Sequence, residues 1–256
     1  MNDPILHNAL PDGQVERAAA RLPSMRPVEG PWLFCDEVYA AQMAERRRLV
    51  AAQPDDVIAQ LSEGLPAARA FLTAVVNDLP DGFQRNGDLV HCPDGAEVKL
   101  DWESPLRSVG QMLQQDVCIL EKREAEHVLT GAVLCFPASW TLAQKIGQPL
   151  TRIHVPVGEY DDTIARRVQR FFDGVQRGKP MWRANLLRYE DPALFHPRPE
   201  HDPRPNGSPA SPYLRSERQT VVRLNHPGAV AFVIHTMVMK APSERDDNNR
   251  DAQQAE

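Results

Sequence analysis

The strongest constraint on the fold of this chain is a change of hydrophobic period in its second half. Asp116–Leu120 and Val128–Phe136 are β-rich and flank a charged stretch, Glu121–Glu126, which predicts a hairpin. Thr220–Leu224 and Val230–Met239, joined by Asn225-His226-Pro227-Gly228, predict a second hairpin. Ile153–Val157 sets Ile153, Val155 and Val157 against His154 and Pro156, the period of a strand. Helical patterns lie before and between these pieces, and no long parallel βαβ alternation runs through them. The expected class is therefore α+β, with an antiparallel sheet and flanking helices.

The helices can be placed from caps and stripes. Asp36 is positioned to cap a helix ending near Ala52, with Val38, Tyr39, Met43, Leu49 and Val50 facing inward. In this reading the basic run Arg46–Arg48 is a solvated helix face. A second helix is predicted over Pro66–Val76, and a third starts at Ser104–Pro105 with Leu106, Val109 and Leu113 as its apolar face. Between them, Asp81–Gly82, Asn86–Gly87 and Asp94–Gly95 mark turns joining short extended pieces. Ser139 is placed to cap a short helix, Trp140–Ile146, that Gly147 ends. Asp161 or Asp162 opens the cleanest helix, with Ile164, Val168, Phe171, Phe172 and Val175 opposite Arg166, Arg167, Gln169 and Arg170. Residues 1–30 read as a surface extension, 31–240 as a single domain and 241–256 as a disordered polar tail. Within the domain, 191–212 carries seven of the 23 prolines, so a long loop is expected there.

Composition excludes several function classes. A net charge of -6 gives no electrostatic footprint for nucleic acid. No apolar run approaches the roughly 20 residues of a membrane span, and Met1–Pro11 lacks a signal-peptide pattern, so a soluble cytoplasmic protein is expected. Cys35, Cys92, Cys118 and Cys135 form no C-x-x-C, which argues against a zinc or iron–sulfur site held by this chain alone. Cys118 and Cys135 read as buried strand residues. Neither G-x-G-x-x-G nor G-x-x-x-x-G-K-[ST] occurs, so no dinucleotide or triphosphate loop is expected.

Chemistry-bearing residues are fewer. His7, His91, His196, His201 and His226 lie in polar or proline-rich surroundings and read as surface residues, while His127 and His235 read as satisfied sheet histidines. His154 lies opposite three aliphatics between Pro149 and Pro156, a setting shared by a cofactor-facing histidine and a plain outward one. Arg215-Ser216-Glu217-Arg218-Gln219-Thr220 leads into an apolar strand and can either clamp an anion or form an internal Arg–Glu network. Trp182-Arg183-Ala184-Asn185 puts a polar pair on a strand start or a turn.

Taken in order, Cys135-Phe136-Pro137-Ala138-Ser139-Trp140, Lys145-Ile146-Gly147-Gln148-Pro149-Leu150, Ile153-His154-Val155-Pro156-Val157, Arg183-x-Asn185, Leu214–Thr220 and Ala229–Thr236 resemble the haem-dependent oxidative N-demethylase family. The resemblance covers roughly residues 30–240. It implies a PAS-like antiparallel sheet with flanking helices, a single domain with an N-terminal helical extension, cradling haem b. It further implies O2-dependent removal of an N-methyl group from a small alkylamine as formaldehyde, with NADPH, FMN and an iron–sulfur cluster on separate reductase partners. Under the resemblance His154 is the candidate iron ligand, with His127 and His235 the other histidines of the sheet region. Lys145, Arg183 and Arg218 are candidates for the haem propionates, and Glu217 and Asn185 for orienting the amine or a bound-oxygen species. Two departures from the family pattern, Gly158 after the histidine strand and Leu186 after Asn185, bear on the turn and on pocket shape. A non-catalytic PAS-like haem or small-ligand sensor is the alternative that the same residues allow.

Overall fold

The structure, a computed structural model, describes residues 3–20, 24–154, 162–205 and 207–242. Ten strands are present among them: β1 (Arg26–Pro27), β2 (Ile58–Gln60), β3 (Gln84–Asn86), β4 (Leu89–His91), β5 (Glu97–Lys99), β6 (Asp116–Arg123), β7 (Glu126–Val133), β8 (Met181–Tyr189), β9 (Tyr213–Arg223) and β10 (Ala229–Lys240). The helices are α1 (Gln14–Ala18), α2 (Tyr39–Ala52), α3 (Pro54–Val57), α4 (Leu65–Asn77), α5 (Pro105–Met112), α6 (Leu150–Ile153) and α7 (Asp162–Gly174). Seven strands form one antiparallel sheet in the order β1-β8-β9-β10-β6-β7-β2, and β3-β4-β5 form a small second sheet. The architecture is α+β, as expected.

Both predicted hairpins are present. β6 and β7 pair from Val117–Val133 out to Arg123–Glu126, and a register shift after Ile119 bends the pair. β9 and β10 pair over eleven positions, from Arg223–Val230 to Tyr213–Lys240. Gly228 turns between them at φ 68, a left-handed backbone that favours glycine. Strand β9 begins at Tyr213, seven residues before the expected start, so the whole Arg215–Thr220 run lies inside the sheet.

The sheet separates two apolar layers. One face packs on α2, α4 and α5 through Met43, Leu49, Phe71, Leu72, Val75, Leu106, Val109, Val117, Ile119, Val222 and Val233. The other face packs on α6, α7 and the loop before them through Cys118, Leu120, Leu129, Leu142, Leu150, Phe172, Val175 and Val221. The α7 stripe follows the prediction, with Phe172 and Val175 buried and Arg166, Arg167 and Arg170 exposed, except that Gln169, expected on the polar face, is buried and accepts from His127. The thiols of Cys118 and Cys135 are buried, and burial pushes the Cys135 thiol up to about 12. Among the described residues no helix is long and apolar enough to cross a membrane.

Several expectations need correction. Arg46 is not on a solvated face: it is fully buried and donates to Asp116 Oδ1 at 2.5 Å and to the Gln115 carbonyl at 2.8 Å. Its position three residues from both Met43 and Leu49 puts it on the inward stripe, where Asp116 supplies the counter-charge. Ser139 does not cap a helix, because it sits at φ 64 and gives its N–H to the His196 carbonyl; the predicted helix shrinks to one 3₁₀ turn, Leu142–Gln144. Ile153 ends a helix instead of starting a strand, and Val155–Val157 lie outside the described residues. His7 is buried, and His196 is half-buried. Among the described residues of 191–212 there is no helix or regular strand, yet Leu194 is part of the core. The tail from 243 lies outside the described residues.

Candidate functional site

Register decides which polar side chains meet. β8 and β9 pair Arg183 with Gln219, Ala184 with Arg218 and Asn185 with Glu217. Because strand side chains alternate, Arg183, Asn185, Arg215, Glu217 and Gln219 share the face covered by α6 and α7. Arg218 points to the opposite face. There its guanidinium stacks 3.7 Å from the Trp182 ring centroid and 4.4 Å from that of Phe34, and burial pushes its pKa down to about 10. The six expected site residues therefore do not line one surface: the sheet separates Arg218 from Arg183, Asn185 and Glu217.

On the α6/α7 face, Asn185 and Glu217 bond reciprocally. The Glu217 backbone N–H donates to Asn185 Oδ1 at 2.8 Å, and Asn185 Nδ2 donates to Glu217 Oε2 at 3.0 Å. Gln219 Nε2 donates to the same Oε2 at 3.0 Å. Oε2 is thus filled by two amides, while Oε1 faces Arg215 Nε at 3.8 Å and accepts no hydrogen bond among the described residues. Arg215 is buried and its terminal nitrogens serve the Leu194 and Phe136 carbonyls. The arrangement is a buried carboxylate fixed by amides through Oε2 and ion-paired through Oε1 with Arg215, the internal Arg–Glu pairing that the sequence allowed, with hydrogen-bonding capacity still open at Oε1.

Arg183 is half-buried and donates to the Ala184 carbonyl at 3.3 Å; among the described residues it forms no ion pair. Burial lowers its pKa, with the Glu217 charge opposing that shift. A desolvated guanidinium without a carboxylate partner has the chemistry to hold a carboxylate-bearing group.

His154 caps the C-terminus of α6, at φ -96 and ψ 1. Its Nδ1 lies 2.8 Å from the Leu150 carbonyl and must donate to it, which assigns the lone pair to Nε2. Burial holds this imidazole below its ordinary pKa, the nearby Lys145 charge adds to that, and the Leu150 bond opposes it. A neutral ring with Nδ1–H anchored on a carbonyl is the donor set of a metal-bound histidine, so His154 fits an iron ligand. Lys145 is placed differently from expectation. Its buried ammonium donates to the Ile153 carbonyl at 2.8 Å and to Glu200 Oε1 at 2.6 Å. That internal pairing takes it away from a role toward propionates.

His127 is fully buried and shares the donor pattern of His154: Nδ1 donates to Gln169 Oε1 at 2.7 Å, Nε2 has no hydrogen-bond partner among the described residues, and burial lowers its pKa. His7, Asp36 and His235 bring ligating atoms within 4.8 Å of one another, a metal-like spacing. Their hydrogen bonds read differently. Gln115 Nε2 donates to His235 Nδ1 at 2.8 Å and the Val238 N–H to His7 Nδ1 at 3.2 Å, so both rings carry their proton on Nε2. Those protons go to Asp36 Oδ2, at 2.7 Å from His235 and 2.9 Å from His7. Burial alone would raise the Asp36 pKa, but these bonds hold it far below the usual carboxylate range. The trio is a proton-filled tie between the N-terminal segment and β10.

Glu200 is the participant that sequence reasoning missed, since nothing in a proline-rich run marks one carboxylate as special. Gln219 lies within the Arg215–Thr220 run that the sequence singles out, and its amide on Glu217 Oε2 emerges only from the strand register. A cavity of about 380 Å³ lies between α6, α7 and the β6–β7 turn, lined by Thr151, Ala165, Arg166, Gln169, Arg170 and Asp173, and none of the expected site residues lines it.

One comparison bears on identity. The family described as "Haem-dependent oxidative N-demethylase, alpha subunit-like" matches residues 25–254, a span that includes His154, Arg183, Asn185 and Glu217. With nearly the whole chain matched, the protein belongs to the haem-dependent oxidative N-demethylase alpha subunit-like family.

Proposed function

We propose that this chain is the haem-binding subunit of an amine-oxidising system, with the large sheet serving as a PAS-like cradle over residues 31–240. The observation that supports the reading is His154, whose Nδ1–H is anchored on the Leu150 carbonyl, the tautomer in which Nε2 would be the coordinating nitrogen. Arg183 would hold a propionate of haem b. Haem would supply the one-electron and dioxygen chemistry that protein side chains lack. In the net reaction an N-methylamine, O2, two electrons and two protons give the demethylated amine, formaldehyde and water. NADPH, FMN and an iron–sulfur cluster on partner subunits would provide the electrons, in keeping with the absence of any C-x-x-C or dinucleotide loop in this sequence.

The protein's own contribution is positioning. Glu217 Oε1 accepts an N–H of a small alkylammonium, and Asn185 and Gln219 keep the carboxylate from turning away. The same carboxylate is the local acceptor for the ammonium proton. In this reading Lys145, paired with Glu200, and Arg218, on the other face of the sheet, do not hold propionates.

The test is haem titration of wild type beside His154→Ala, followed by an amine-dependent formaldehyde assay with a chemical or enzymatic reductant. A Soret band in wild type that shifts or weakens in the variant, with formaldehyde released only by wild type, is the expected result. Wild type that takes up no haem under saturating supply overturns the reading. Haem uptake without formaldehyde from any methylamine would assign the chain to the sensor class instead.

A further inference from the structure

The segment 196–200 lies along 138–145 and is attached at successive points. The Ser139 N–H donates to the His196 carbonyl, and the Glu200 N–H donates to Gln144 Oε1 at 3.1 Å. The Glu200 carboxylate then receives Lys145 Nζ at 2.6 Å and both terminal nitrogens of Arg152 at 3.1 Å. Lys145 continues the chain of contacts inward, because its ammonium also donates to the carbonyl of Ile153, the residue before His154.

Two physical facts give this arrangement weight. α6 has four residues, too few to hold a helical turn by itself, so its end depends on outside partners. Lys145 is only 4% exposed, and a buried ammonium needs a counter-charge to stay where it is. Glu200 supplies that charge, and the two cations hold its carboxyl down at about 2, so it is ionised at any working pH.

We infer that Glu200, acting through Lys145, is a positioning residue for His154, and that the proline-rich segment is the strap that brings it there. This rests on the proposed role of His154. The strap sets the end of α6, the end of α6 sets the imidazole, and the imidazole sets the field at the metal. Arg152, which is exposed and touches only Glu200 in this chain of contacts, secures the strap without reaching Ile153.

The experiment compares wild type, Glu200→Gln, Glu200→Asp, Arg152→Gln and Lys145→Met in haem-free and haem-loaded forms. In the haem-free protein, side-chain nitrogen NMR of His154 and amide exchange at 150–154 are followed. In the loaded protein, the Soret band and the rate of haem loss to an acceptor globin are followed. Glu200→Gln should move the His154 signals and speed haem loss about tenfold, the scale of an outer-shell partner. Lys145→Met should do the same from the other end, Glu200→Asp should restore most of the wild-type behaviour, and Arg152→Gln should have the smaller effect. If Glu200→Gln loosens only residues 196–202 while the His154 signals and haem loss match wild type, the positioning role is overturned. If wild type takes up no haem, the proposed function falls, and the haem-free His154 signals alone decide the positioning.

Discussion

Replacing Glu217 by glutamine changes the charge of one buried group while keeping its shape. In the wild-type geometry Oε2 already accepts the Asn185 and Gln219 amides, each at 3.0 Å. The glutamine oxygen can take that position and keep both bonds, which puts its NH2 where Oε1 was. The substrate then meets a donor where it had met a carboxylate oxygen. A hydrogen bond to a charged group contributes about 1.5–3 kcal/mol. At about 1.4 kcal/mol per factor of ten, amine affinity should fall roughly 10- to 140-fold. The assay is the amine-induced change in the Soret band, alongside steady-state formaldehyde release, with a neutral alcohol or amide of similar size as control. Binding of the neutral ligand should change little, because it makes no ion pair with Glu217. A folded Glu217→Gln protein that binds the amine within twofold of wild type would falsify the assignment of Oε1 as the ammonium acceptor.

Two further outcomes concern the fold. Arg46→Met should cost about 3–5 kcal/mol, since Asp116 would stay buried with only the Cys135 and Phe136 N–H groups to solvate it; denaturant unfolding measures this, and a loss under 1 kcal/mol would contradict it. His127, His154 and His196 all have pKa values lowered first by burial, so the unfolded chain binds more protons than the folded one as pH falls below about 6.5. Stability from these groups is therefore complete above that pH and declines as pH falls through it toward the folded values. Unfolding midpoints at pH 7.5 and 5.5 test this, and a protein more stable at the lower pH would refute it.

How legible was all this from sequence? Strands that alternate strictly and meet at a tight turn were readable, as β6–β7 and β9–β10 show, and so was α7 with its aromatic stripe. The three glycine turns announced the small sheet. Arg46 was not readable, because an arginine on an inward stripe differs from a solvated one only in having Asp116 across from it, seventy residues away. The segment around His154 misled for a different reason: five alternating residues fit a strand, but at the two of them that are described the Lys145 bond to Ile153 and the His154 bond to Leu150 close a helical turn instead. Arg218 could have been placed correctly. Strand parity alone parts it from Glu217 and Gln219, once the strand is known to begin at Tyr213 and not at Thr220.

The order of strands in the large sheet has a consequence for biosynthesis. β10 follows every other described strand in the chain, yet it lies between β9 and β6. Until it arrives, β6 and β9 each present a long unpaired edge, and the two halves of the sheet have no shared strand to register them. His7, whose N–H bonds the Val238 carbonyl at 2.7 Å, finds its partner 231 residues later in the chain. Closure of this domain is thus a late event dominated by contacts distant in sequence, the regime of slow folding. A nascent chain halted before Ala229 would hold its two layers apart, with the faces meant for the core open to chaperones and to one another.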